Sequence, residues 1–219
     1  MSQTILFLLF KATAETVMMV LVASVIATLI GLPLGVLLYI TRPKNLLENT
    51  YLYKTLAALV NITRSIPFII LMIAVIPFTR LLVGTSIGTL AAIVPLSLAA
   101  MPFIARVVES ALLEINKGLI EAALAMGATP IQIIRKVLLP EGFPSIINGL
   151  TLTVVNLVGY SAMAGAVGGG GLGDLAIRYG YQRFDIQIML ITIILMVCLV
   201  QFIQYLGDFF VKRFSFFRV

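Results

Sequence analysis

The chain is predicted to be an all-α polytopic membrane protein with five transmembrane helices and one sizeable cytoplasmic segment, forming a single domain over residues 1–219. Three observations lead there. Five apolar windows, each long enough for the ~20 residues that cross a bilayer, follow one another along the chain. Only 11% of residues are charged, where a soluble domain carries about a quarter. And the lysines and arginines fall mainly on one side of the implied topology.

The first span is expected near 16–41. The apolar stretch Ile5 to Phe10 before it is too short for a signal-peptide core and has no basic residue ahead of it, so it reads as a retained lead-in. Gly31-x-x-x-Gly35, with Pro33 between, suits close helix packing without naming a partner. The second span, near 55–79, contains Arg64. An intramembrane arginine is costly; this one either snorkels at the start of the span or lines a path. The third span, near 85–105, is free of charge.

The fourth span, near 145–167, is the most polar. Asn156, Tyr160 and Ser161, with Met163 as a soft neighbour, are candidate lining residues for a translocation path, together with Arg64. Serine and threonine in spans more often bond their own helix, so each also has a purely structural reading. Gly168, Gly170 and Gly173 fit Gly-x-Gly-x-x-Gly, but no strand precedes them and no βαβ unit can be placed there. They read as a flexible external turn. The fifth span, near 186–209, holds Cys198, the single cysteine, read as a small buried hydrophobe.

Five spans place the termini on opposite sides. Arg42, Lys44, Lys54, Arg106, Lys117, Arg135, Lys136, Lys212, Arg213 and Arg218 then share one side, and Lys11, Arg80, Arg178 and Arg183 the other. The richer side is cytoplasmic, the N-terminus outside and the C-terminus inside. The largest cytoplasmic segment covers 109–142.

That segment reads as helix, turn, helix. Gly118 to Met126 is rich in helix formers, and Gly127 suits the left-handed residue that ends a helix. Thr129, Pro130 and Gln132 then form an N-cap, a first-turn proline and a capping box. The second helix is expected to stop at Pro140, with Ile131, Ile133, Ile134, Val137 and Leu138 on its apolar side.

Several chemistries are excluded or disfavoured. There is no histidine, so neither a catalytic triad nor a histidine metal site can be assembled, and no metal is expected. No catalytic residue is assigned. No Gly-x-x-x-x-Gly-Lys-Ser/Thr phosphate loop occurs. Net charge is +6, but the aromatic residues lack the basic interleaving of a nucleic-acid binder, and no nucleic-acid partner is expected.

Glu121-Ala122-Ala123-x-x-x-Gly127, followed nine residues later by Val137-Leu138-Leu139-Pro140, resembles the EAA loop of bacterial ABC-importer permeases, with Val137 in place of isoleucine. Arg64-Ser65-Ile66-Pro67-Phe68, Gly159-Tyr160-Ser161-Ala162-Met163 and Gly168 to Gly173 extend the resemblance to the methionine-importer subgroup of that family. The resemblance implies an ABC-importer type I permease fold in a bacterial inner membrane. It also implies that Glu121, Ala122, Ala123, Gly127, Ala128, Thr129 and Pro130 couple to an ATPase. The implied partners are a second copy of the chain, two cytoplasmic ATP-binding-cassette ATPases that bind ATP and Mg, an external substrate-binding lipoprotein, and membrane lipid. The chain itself would be a non-enzymatic subunit with no cofactor, moving methionine. The alternatives are a permease for another small amino acid or peptide, or an ion-gradient-driven transporter. Paired intramembrane acids or inverted repeats would favour the latter.

Overall fold

The computed structural model describes residues 3–215; Arg218, counted above among the cytoplasmic charges, lies outside them. The described residues are almost entirely helical. By length and composition, four helices can cross a membrane, or five if one bent pair counts as a span.

Helix α1, Gln3–Thr41, is one continuous rod that absorbs the expected lead-in. At 39 residues it is about 58 Å long, well beyond a ~30 Å hydrocarbon core. Its partner is α5, Thr89–Leu113, the most buried of the long helices. Contact is close because Gly31 and Gly35 have no side chains. A Cβ on Gly35 would lie 2.5 Å from the Ala105 carbonyl oxygen, and one on Gly31 2.8 Å from that of Met101. Leu96, Ile104, Val108 and Leu112 of α5 are wholly buried and anchor the main core with Met19, Ala23 and Ala27 of α1.

The window expected as a second span is not one helix. Helix α2, Thr50–Ser65, is N-capped by Asn49 and ends at Ile66. Helix α3, Phe68–Ala74, leaves at 102° to it. The cause is Pro67: proline pushes the residue before it out of the helical region, and Ile66 is extended at φ −82°, ψ 123°. A short helix α4, Ile76–Val83, follows and ends on Gly84 in the left-handed region.

After α5 comes the hairpin of α6, Lys117–Ala125, and α7, Pro130–Ile133. The expected stop at Pro140 does not occur. A proline inside a helix lacks an N–H, and its ring crowds the carbonyl four residues back. The chain accommodates it with a π turn, Ile134–Leu138, in which the Leu139 N–H donates to the Ile134 carbonyl. The helix then runs on as α8, Leu139–Ala166, so 130–166 is one uninterrupted element.

The glycine-rich stretch is packed rather than loose. Gly165 and Gly173 abut the backbone of Gly173–Asp174 and of Ala162, respectively. Two groups on α1 hold the segment: Glu15 accepts from the Gly171 N–H at 2.9 Å and Thr16 from the Leu172 N–H at 2.8 Å. A short helix α9, Gly171–Leu175, and a second π turn, Ala176–Tyr181, lead to α10, Ile186–Ser215. Helix α10 lies against α8 and exposes most of its apolar surface, including Cys198, which is therefore not buried. Ile194 and Phe202 of this helix are exposed, as are Phe10, Leu29 and Leu81 on other parts of the bundle. In water such a belt would aggregate; against lipid tails it carries no penalty.

Candidate functional site

The elbow at Pro67 builds a cleft. Thr63, Arg64 and Ile66 from the end of α2, Phe68 and Leu71 from α3, Ala99, Ala100 and Phe103 from α5, and Thr153, Asn156, Leu157 and Tyr160 from α8 enclose about 170 Å³. The bend turns Phe68 inward, where its ring stacks on Tyr160 with centroids 4.6 Å apart and planes 3° from parallel. The Arg64 guanidinium lies 5.4 Å from the centre of the Phe103 ring, close enough for cation–π attraction. It belongs to none of the ion pairs among the described residues. Asn156 is exposed to the cleft. One cation, one amide and one phenol therefore converge between aromatic faces, a set that can grip the carboxylate of a small zwitterion and cover an apolar side chain.

Of the five residues read as path-lining, Arg64, Asn156 and Tyr160 meet in this cleft. Ser161 does not: it is 2% exposed, and its hydroxyl donates to the Val158 carbonyl of its own helix at 2.7 Å. Met163 is outside the cleft and 47% exposed. It nevertheless shares a helix face with Asn156 and Tyr160, since steps of four and three residues return to one side of a helix. Leu152, also exposed, begins the same stripe.

The second site is the hairpin. Helix α6 ends in a Schellman closure: the Ala128 N–H donates to the Ala123 carbonyl at 3.0 Å and the Gly127 N–H to that of Leu124 at 2.9 Å. That geometry needs a left-handed residue, and Gly127 supplies it at φ +79°. The capping box starts α7: the Gln132 N–H donates to Thr129 Oγ1 at 3.4 Å, and the Thr129 N–H to Gln132 Oε1 at 2.9 Å. The turn between the two helices is therefore fixed by paired backbone groups at both ends.

Glu121, Ala122, Gly127 and Thr129 are exposed on the hairpin, Ala128 and Pro130 are half-buried, and Ala123 turns inward to the core. Ile133 and Leu138 are wholly buried as expected, but Ile131 is not on the buried side; it is 65% exposed. Ile131 and Ile133 are two residues apart, about 200° around a helix, so burying Ile133 turns Ile131 outward. Met126, 82% exposed, stands beside it at the turn. Sequence reasoning missed this apolar tip, whose signal is a methionine and an isoleucine flanking a glycine turn. It also missed the cleft residues Thr63, Phe68 and Phe103, and the buried Glu109 with its partner Tyr53 on α2.

A family model described as binding-protein-dependent transport system inner membrane component matches residues 31–216. The chain is 59% identical over 206 residues to the probable D-methionine transport system permease protein MetI of Vibrio cholerae, covering 94% of this chain and 92% of that one. It is 59% identical over 165 residues to the D-methionine transport system permease protein MetI of Escherichia coli strain K12, covering 75% and 76%. Among solved structures, a chain of the MetNI methionine ABC transporter in inward-facing conformations superposes with a TM-score of 0.96 at 55% identity, over 98% of this chain and 99% of that one. A chain of an amino acid ABC transporter, 17% identical, superposes with a TM-score of 0.77 and so shares the fold. The fold is that of an ABC-importer permease. The chain belongs to the family of binding-protein-dependent transport system inner membrane components.

Proposed function

We propose that the chain is the permease subunit of a methionine importer driven by a separate ATPase. The observation that carries the mechanism is continuity: Ile131 of the exposed hairpin tip, the π turn and the cleft-lining face of α8 belong to one helix, 130–166. A push on Met126 and Ile131 at one end is delivered to Asn156 and Tyr160 at the other. The substrate class comes from the relatives, whose names specify D-methionine.

In this reading Glu121, Ala122, Ala123, Gly127, Ala128, Thr129 and Pro130 form the coupling element. It docks on a cytoplasmic ATP-binding-cassette subunit, which binds ATP and Mg. The rigid turn matters because a compliant one would absorb the motion. The basic loops put the hairpin in the cytoplasm and the N-terminus outside.

The cleft is half of a path. Its open side is bordered by the stripe Leu152, Asn156, Tyr160 and Met163, in which Asn156 and Tyr160 supply the polar groups, and is free of bulky cover, since a Cβ at Gly159 would touch nothing within 4 Å. A second copy of the chain completes the enclosure, with two ATPases below and a substrate-binding lipoprotein outside. Arg64 receives the substrate carboxylate, and the Phe68–Tyr160 pair borders its side chain. The test is uptake of labelled D- and L-methionine by proteoliposomes holding the whole complex with its binding protein. Uptake that requires ATP and is competed by methionine above other amino acids supports the reading. Uptake driven by an ion gradient without ATP contradicts it.

A further inference from the structure

Helix α2 is weakly embedded. Val60 is its one buried residue, packed against Leu38 and Ala105. Yet this helix delivers Thr63 and Arg64 to the cleft. Its hold on the bundle is a ladder along α5. Tyr53 donates its hydroxyl to Glu109 Oε1 at 3.2 Å. Glu109 Oε2 pairs with the Arg106 guanidinium. The other Arg106 nitrogen donates to Asn61 Oδ1 at 2.7 Å. Arg64 over Phe103 is the last rung. Going up α2 through 53, 61 and 64 goes down α5 through 109, 106 and 103, so the two helices run antiparallel.

Glu109 is the unusual member. It is 1% exposed, and a carboxylate is expensive to remove from water even when paired. An apolar residue would pack as well at that site; what the charge adds is a fixed rotation of α2 about its own axis, because only one orientation presents both Tyr53 and Asn61. Glu109 also sits near the end of α5, just before the chain enters the coupling hairpin.

We propose that Glu109 is a positioning residue that locks α2 to α5, so that Arg64 follows the hairpin's displacement instead of lagging behind it. The inference rests on the reading of the chain as an ATPase-driven permease. Without the lock, α8 still moves with the hairpin, but the α2 wall of the cleft does not close in step. Substrate then escapes or is released less often per cycle.

The test is the number of methionine molecules imported per ATP hydrolysed by the reconstituted complex. In Glu109→Gln, complex yield and ATP hydrolysis are retained while this ratio falls roughly fivefold to tenfold, in line with substitutions along a coupling network. Tyr53→Phe, which removes one rung and leaves the ion pair, gives a smaller fall. A ratio equal to the wild type's in both variants overturns the proposal, including the case where uptake and hydrolysis decline together, as a merely structural residue would produce. If Glu109→Gln does not assemble, Tyr53→Phe and Asn61→Ala decide by the same ratio. Hydrogen exchange of backbone amides 50–65 provides a readout independent of transport. Faster exchange confined to α2 in Glu109→Gln supports the lock, and unchanged exchange overturns it. A wild-type complex that hydrolyses ATP but imports no methionine counts instead against the permease reading.

Discussion

Phe68 and Tyr160 lie ring on ring, 4.6 Å between centroids and 3° from parallel, joining α3 to α8 across the cleft. The pair exists because Pro67 breaks the second span; a straight helix over 55–79 would carry Phe68 past the cleft instead of into it. Aromatic pairs contribute about 0.5–1.5 kcal/mol beyond their buried area. Tyr160→Phe keeps the stack and should leave thermal stability close to wild type, with uptake reduced only by the share of the phenol hydroxyl. Tyr160→Ala should lower the melting temperature and raise the methionine concentration needed for half-maximal uptake. Equal behaviour of the two variants would mean that the stack is incidental.

Arg64 tests the chemistry of the cleft separately. Its charge faces the enclosed space without a carboxylate partner among the described residues. Arg64→Ala should reduce uptake while ATP hydrolysis and copurification of the ATPase persist. Arg64→Lys, which keeps charge but not the planar fork, should fall between. The measurement is initial uptake rate at fixed complex content, and undiminished uptake in Arg64→Ala removes this residue from the path.

Packing of α1 on α5 makes a prediction about folding instead. A side chain at Gly35 has to enter space held by the Ala105 carbonyl and Val108. Overpacking costs about 1–3 kcal/mol for a modest insertion, and backbone cannot retreat as a side chain can. Gly35→Val should therefore lose most folded protein in detergent, measured by monodispersity in size-exclusion chromatography. Gly159→Ala, where a Cβ meets nothing, should be tolerated.

The hairpin turn needs Gly127 at φ +79°. An L-residue there costs about 1–2 kcal/mol, and proline cannot adopt that φ at all. Gly127→Ala should weaken uptake moderately, and Gly127→Pro should abolish it with membrane insertion intact. Both can be followed by uptake normalised to protein recovered from membranes.

Much of this architecture is written in local patterns. The apolar windows mark where helices can cross, and Gly127, Thr129, Pro130 and Gln132 announce the hairpin turn because caps are satisfied by neighbours in sequence. Three features escaped for one reason: each depends on something that hydropathy does not register. A window average passes over Pro67, although one missing N–H and one extended residue turn the chain by 102°. Pro140 looked like a stop, but a π turn widened the helix by one residue per turn and carried it through. The glycine run looked loose because glycine permits freedom; its tight packing becomes visible only when Glu15 and Thr16, 156 residues away in sequence, are seen bonded to it. The ladder through Glu109 is hidden in the same way, since Tyr53 lies 56 residues from its partner. In the cleft, Arg64, Asn156 and Tyr160 could be singled out as polar groups in apolar windows, whereas Ser161 had the same signature and spends its hydroxyl on its own helix.

The proposed coupling role puts the exposed tip of the α6–α7 hairpin where the ATPase grips the permease. A Met126→Cys substitution in a Cys198→Ser background places one reactive thiol on that tip. In the assembled complex it should cross-link to the ATPase subunit through a short bifunctional reagent, and in intact cells it should resist labelling by a membrane-impermeant thiol reagent applied outside. Labelling from the outside, or the absence of any cross-link in a complex that still imports methionine, would contradict the account.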